Sequence, residues 1–597
     1  MIDRRHLLVL LGSATAFGAA PPLAARIVAR APGAAEEAFA AIAADYVRGI
    51  AEQAPAYGTV LGDHRFDHEV GDVSRAARAK ALAATRALLT RLGKVDRNAL
   101  SRDSQLDAAL LDNALRYDMW QAEVLQSWAW DIQIYNDIAG TALYGLAARD
   151  FAGWDVRLKA ATARMEKMPA FFAQTRAVVV PKRVPKNYAE TVAKQNGGVI
   201  DIAVGMLAPH KDALSPADAA RFDTALATLK AAVAEHQKWL DTVLVPQAAG
   251  DFRLGAALYD AKMRFALVSD ISRTELKARA EAAKLDCRRQ MYALARQVLA
   301  GKTGAPALPD APTPAQEQAA IEAALELSYA QRPARDGVMA KARATLAQAT
   351  DFVRVRRLVT VPDMPVRIIT MPKYQQGVAV AYCDSPGALE RDLDTFYAIS
   401  PIPDEWSDEQ ATSFLREYND YMIHDLSIHE AMPGHYLQIA HSNANPSVLR
   451  AVLSSGSFVE GWAVYAEGMM MDAGYLDGDP MFKLTVLKMR LRSITNTLLD
   501  IAIQTEGLSR DAAMELMTQG AFQQEREAAG KWVRASLGST QLLSYFTGFA
   551  EHMAMREEAK QRWGAGFDLK TYNDRVLAHG SPPAKYVRAM LFDLPIV

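Results

Sequence analysis

The sequence predicts a mostly α protein: a large two-lobed helical fold around a deep cleft, with a small antiparallel β-sheet just ahead of a histidine-rich helix. Three observations carry this. Ala, Leu, Glu, Lys, Arg and Gln dominate the chain, and these residues favour helix. Apolar residues recur at helical spacing over long stretches. Only residues 357–399 change texture, to short β-branched runs bounded by prolines.

At the N-terminus, Arg4 and Arg5 precede an uncharged run from Leu7 to Ala20, followed by Pro21, Pro22, Leu23, Ala24 and Ala25. That order of positive, apolar and small-residue regions is an export signal. The paired arginines resemble a twin-arginine signal, which places the protein in the periplasm. Residues 1–25 are therefore expected to be removed, and the apolar run is too short for a spanning helix. No cysteine follows it, which argues against a lipid anchor, and no later stretch is apolar enough to insert in a membrane.

Residues 26–300 are expected to form an N-terminal helical region, with helices near 76–94, 215–243 and 270–300. The Gly-, Pro- and Ala-rich segment 301–313 (GKTGAPALPDAPT) marks a loop, and 301–597 is expected to be the chemical region, continuous with the preceding helices. Residues 314–356 again read as helix. Strands are expected at Leu358–Val361, Val366–Thr370, Gly377–Cys383 and Thr395–Ala398. Ser407 and Gln410 have the spacing of a capping box that opens a helix to about residue 431.

Lys and Arg number 67 and Asp and Glu 69, a net charge of -2, so no basic excess exists to neutralise nucleic-acid phosphates. The two cysteines, Cys287 and Cys383, form no CxxC pair. One disulfide and two free thiols are both compatible with their spacing.

Four of 11 histidines, His424, His429, His435 and His441, fall within eighteen residues. The core of the cluster is His429-Glu-Ala-Met-Pro-Gly-His435. Zinc peptidases commonly use two histidines at i and i+4 of one helix, with Glu beside the first. Here the spacing is i and i+6, and on an unbroken helix such positions diverge by roughly 120°. Pro433 cannot continue the helix, however, and Gly434 gives the backbone freedom to return His435 to the same point. The candidate segment for a third ligand is Phe458-Val-Glu-Gly-Trp-Ala-Val-Tyr-Ala-Glu-Gly468. Glu460 and Glu467 are seven apart, on one helix face beside Ala463 and Val464. Two carboxylates on such a face are costly unless a cation is near. His429, His435 and Glu460 with one water match an open catalytic Zn²⁺ site, with Glu430 as general base.

HEAMPGHYLQ and EGWAVYAE resemble the paired signatures of the bacterial family called domain of unknown function 885, which in turn resembles gluzincin zinc peptidases, including the helical thimet-oligopeptidase type. The resemblance runs from about Phe252 to the C-terminus. It includes Gly255 and Tyr259 in RLGAALY, the segment Leu543-Ser-Tyr-Phe-Thr-Gly548, and Gly566-Phe-Asp-Leu569. It implies zinc on His429, His435 and Glu460, Glu430 as base, and Tyr545 as a donor to a developing oxyanion. Gln504 and Asn573 stand where the family commonly has histidine, which leaves them as substrate-facing or supporting positions. The expected activity is a zinc-dependent metallopeptidase acting on a peptide or small amide. Its rivals are a zinc amidase or esterase for a non-peptide substrate, and a periplasmic binding protein without turnover, against which the intact Glu430 argues. The mature protein is expected to begin close to residue 26. N-terminal sequencing of native material reads this directly, and a cytosolic protein starting at Met1 would overturn it.

Overall fold

The computed structural model describes residues 33–363, 366–371, 381–390, 393–404 and 406–596. The leader expected at 1–25 and the first part of the strand expected at 377–383 lie outside the described residues. The fold is mostly helical with one three-stranded sheet, as the composition predicts. The early helices Trp154–Val178 and Pro216–Trp239 pack on each other through Met165, Phe172, Phe222 and Leu229. The helix Arg273–Leu299 packs along the long helix Pro480–Glu506, burying Cys287, Met291, Leu487 and Leu491 in one cluster. Both cysteines are free, Cys287 fully buried and Cys383 partly so.

The sheet differs from expectation in two respects. Its strands are β1 (Val366–Thr370), β2 (Ala381–Asp384) and β3 (Thr395–Ile399), in the order β1-β3-β2. β2 pairs with β3 antiparallel, but β1 pairs with β3 parallel, so the sheet is mixed rather than antiparallel. The segment Leu358–Val361 is no strand. Arg357 turns the chain at φ 53°, and side chains then hold the segment: Asn573 donates to the Leu358 carbonyl, and Asp574 accepts from the Thr360 amide. β-branched composition cannot distinguish a sheet ladder from such side-chain tethering.

Two expected helices are each divided. Residues 314–356 form Pro314–Ala330 and Val338–Arg356, interrupted around Pro333 and Gly337. The capping box at Ser407 and Gln410 is present, but its helix stops at Glu417. Asn419 then caps a new helix, Asp420–Glu430, by accepting from the Tyr421 and Met422 amides. The His435 helix (His435–Asn443) and the Glu460 helix (Gly456–Asp472) follow.

The Glu460 helix lies against the helix Leu543–Trp563 at backbone contact. A Cβ on Gly461 would fall 2.3 Å from the carbonyl carbon of Gly548, and one on Gly548 would fall 1.8 Å from the Ser457 oxygen. Neither atom can move without moving a helix. Gly548→Ala is therefore expected to cost about 3 kcal/mol, the upper end of overpacking penalties, through separation of the two helices. Denaturant unfolding measures it, and a wild-type midpoint would show that the contact is not stabilising.

Candidate metal centre

His429 occupies the last turn of the helix Asp420–Glu430, and Glu430 is its final residue. The chain then folds back on that turn. The amides of Met432 and Gly434 donate to the carbonyls of Ser427 and Ile428, at 2.9 and 2.8 Å. A Cβ at Gly434 would sit 1.9 Å from the His429 oxygen, so only glycine allows the return. The loop contains a cis bond before Pro433, and the Trp462 indole donates to the Pro433 carbonyl at 2.9 Å. The Glu460 helix thus pins the loop that redirects His435. The expected distortion is a full break between two helices.

The break brings His429 and His435 together, with ring centroids 4.7 Å apart and nearly perpendicular planes. Glu460 Oε2 lies 3.7 Å from His429 Nε2 and 3.5 Å from His435 Nε2. One ligand atom from each of the three residues falls within 4.8 Å of the others. A tetrahedral ion with bonds of about 2.0–2.1 Å would separate its ligand atoms by roughly 3.4 Å, so the observed spacing accommodates Zn²⁺. Glu460 is only 4% exposed, yet Oε2 has no hydrogen-bond partner among the described residues. A buried carboxylate oxygen left bare beside two imidazole nitrogens is an arrangement that a cation would satisfy.

The supporting groups are equally specific. His429 Nδ1 lies 2.6 Å from Glu467 Oε1, which fixes the ring and directs Nε2 to the centre. Glu467 is 2% exposed, and the buried Asp425, one turn before His429, adds a further carboxylate. Burial alone lowers the affinity of His429 for a proton, but Glu460 and Glu467 outweigh it and raise its pKa well above the usual value. Burial pushes the Glu460 carboxyl up, and His429 and His435 overcome this to hold it at about 2. The same negative field that retains a proton on the imidazole would favour a dication.

Glu430 accepts the Cys383 amide of β2 at 3.0 Å on Oε2. Burial raises its pKa, although both histidines pull the other way. Tyr545, one turn before Gly548, lies beside the same carboxylates. Its phenol interacts with Glu460 and Glu430, and its pKa is raised, first by burial, so that it remains a donor. Gln541 donates to its oxygen at 3.3 Å.

Not every position singled out in the sequence comes to the centre. Gln504 bridges backbone elsewhere, accepting from the Leu254 amide and donating to the Gly538 carbonyl. Asn573 is buried between the Leu358 carbonyl and the Tyr465 hydroxyl, on the far turn of the Glu460 helix. Both tie separate segments of the chain together through these hydrogen bonds. His424 bonds to Tyr475 and His441 to the Thr360 carbonyl, outside the centre. The roles of Glu467, Trp462 and the Cys383 amide were not readable from sequence. The seven-residue spacing from Glu460 was the only signal for the first.

The architecture and site together define a helical protein in which two histidines and one glutamate converge in a buried cluster that could hold a metal ion. The chain belongs to the bacterial family described as protein of unknown function (DUF885), which matches residues 55–591. The match extends well N-terminal of Phe252, so the early helices are part of the family fold. A solved structure described as "a putative lipoprotein of unknown function from Shewanella oneidensis" is 32% identical, with a TM-score of 0.79 over 93% of this chain and 99% of that one. A second, "the putative lipoprotein from Colwellia psychrerythraea", shares the fold at 15% identity and TM-score 0.74, over 92% of this chain and 98% of that one. No curated protein matches the chain.

Glu467→Gln is expected to weaken zinc binding about 10- to 100-fold while leaving the helices intact, because it supports a ligand rather than being one. His429→Ala and His435→Ala should abolish stoichiometric binding. Zinc titration of the purified variants measures both, and a histidine variant with wild-type affinity would refute the ligand set.

Proposed function

We propose that this protein is an exported zinc-dependent hydrolase of the gluzincin type, cleaving an amide bond, most simply in a peptide. The observation that carries the reading is the bare, buried Oε2 of Glu460 facing two imidazole nitrogens, with Glu430 adjacent in sequence and free to act on water. Zn²⁺ held by His429, His435 and Glu460 would supply Lewis-acid polarisation of the scissile carbonyl and lower the pKa of a water toward neutrality.

The chain's own residues supply the rest. Glu430 takes the proton of the attacking water and later delivers it to the leaving amine. The Cys383 amide holds one Glu430 oxygen in place, which leaves the other for that transfer. Tyr545 keeps its proton and donates a hydrogen bond to the oxyanion that develops on the carbonyl. Among the described residues β2 is an edge strand of the sheet, and an extended substrate could lie along it as an added strand.

Export rests on the leader-like N-terminus. The relatives described as lipoproteins are consistent with it, although this chain has no cysteine after its apolar run to carry a lipid. Among the described residues no helix is long and apolar enough to cross a membrane.

Glu430→Gln tests the mechanism. It preserves shape and hydrogen bonding but cannot accept a proton. Zinc content and fold should be retained, and kcat on a cleaved peptide should fall by about 10²- to 10⁴-fold. Full activity would eliminate the mechanism, and loss of zinc would recast Glu430 as a ligand.

A further inference from the structure

The segment leading into the helix of Tyr545 is tied down residue by residue. Residues 537–542 join the helices Glu525–Ser536 and Leu543–Trp563. Asn187 donates to the Ser536 carbonyl at 3.1 Å, and Gln133 to the Leu537 carbonyl at 3.4 Å. Gln504 donates to the Gly538 carbonyl at 2.9 Å, and Lys262 to the Ser539 hydroxyl at 3.0 Å. These four side chains come from four separate helices. Thr540 follows, fully buried, at φ 68°. A β-branched residue in the left-handed region is strained, and such strain persists only where the surroundings over-determine the backbone. Four tied residues and then a strained one are more than a simple connection between two helices needs.

The next residue is Gln541. Its Nε2 donates to the Tyr545 hydroxyl at 3.3 Å, across one helical turn. The phenol is half-buried and also faces Glu460 and Glu430. A phenol has one proton to give, and its oxygen can accept as well. A donor placed on that oxygen leaves the proton for another partner, whereas an acceptor in the same place would take it. Ionised carboxylates can only accept. A phenol that faces them therefore turns its proton toward them, and the neighbour on its other contact serves as the donor. That is the sense in which Gln541 is bonded.

We propose that Gln541 is a positioning residue for Tyr545: it occupies the phenol oxygen with an N–H group, so that the tyrosine proton points to the centre and meets the developing oxyanion there. The tied loop fixes Gln541, and Gln541 fixes the hydroxyl. This inference rests on the hydrolase reading.

The test compares variants of the zinc-loaded protein on an internally quenched short peptide that the wild type cleaves. Gln541→Glu can only accept, and is expected to draw the tyrosine proton to itself. Its kcat should fall about 10²-fold, as on removal of an oxyanion donor, with KM little changed. Gln541→Lys can only donate, and should stay within about tenfold of the wild type. A charge acting through space would give the same order, so both substitutions are repeated in the Tyr545→Phe background. There neither should alter kcat further, because no hydroxyl is left to orient. Calorimetric binding of a phosphinate peptide, whose tetrahedral anion resembles the intermediate, gives a readout apart from turnover. Gln541→Glu should weaken it by the same factor as kcat and leave zinc affinity unchanged. Wild-type kcat and phosphinate affinity in Gln541→Glu, a Gln541→Lys variant as slow as Gln541→Glu, or an equal loss in the Tyr545→Phe background would overturn the positioning role and leave the hydrolase intact. A zinc-loaded wild type that neither cleaves peptides nor binds the phosphinate would overturn the hydrolase reading, and this inference with it.

Discussion

The burial of Glu460 and Glu467, seven residues apart on one helix, is the constraint on which the centre depends. Each is nearly inaccessible to solvent. A carboxylate in that position requires compensation at short range, and among the described residues the two nitrogens of His429 are positioned to give it to both. The imidazole therefore spans the pair, Nδ1 toward Glu467 and Nε2 toward Glu460. His435 adds to the Glu460 side alone. Glu467 ends with a full partner and Glu460 with a bare oxygen. That asymmetry suits Glu467 to orienting His429 and Glu460 to the role of the proposed ligand.

Two close backbone approaches make the arrangement possible. Gly434 lets the chain return across the end of the His429 helix, and Gly461 and Gly548 let the helices of Glu460 and Tyr545 touch. In each case the glycine adjoins a functional residue: Gly434 precedes His435, Gly461 follows Glu460, and Gly548 lies one turn beyond Tyr545. A side chain at any of these places would push the associated functional group outward. Errors of about 1 Å in a catalytic constellation are enough to cost orders of magnitude in rate. The glycines are in that sense as specific as the proposed ligands.

The sequence made this centre legible because its chemistry is local. The six-residue spacing of His429 and His435 required a break, and Pro433 and Gly434 were the residues able to provide it. The helical texture was equally plain from composition. What was not legible depended on long-range pairing. Nothing in Val366–Thr370 shows that it runs parallel to Thr395–Ile399, because either direction leaves the same alternation of faces. The break at Tyr418 and Asn419 was hidden by helix-forming neighbours on both sides. Gln504 and Asn573 drew attention as departures from a family pattern, but their partners are backbone groups hundreds of residues away or on helices whose packing the sequence does not give. The buried ion pairs of Glu417, Lys488, Arg492 and Glu527 likewise join residues that only the packing of three helices brings together.

The early helices gain a functional meaning from the sheet. Arg149 pairs with Asp384 at the end of β2 and donates to the Asp394 carbonyl at 2.9 Å. His64 bridges Asp67 and Glu390, at 2.9 Å to each, and stacks on Phe151. These contacts anchor the segment between β2 and β3 to the first 160 residues of the chain. β2 in turn places the Cys383 amide on Glu430. The N-terminal helices thus act on the centre through one strand, by fixing the register of the amide that holds the proposed base. This gives a physical reason for the family match to begin at residue 55 rather than at the sheet. The short helix of His64 and the loop of Arg149 hold the strand, so they bear on the position of the Cys383 amide and not on that of the proposed metal ligands.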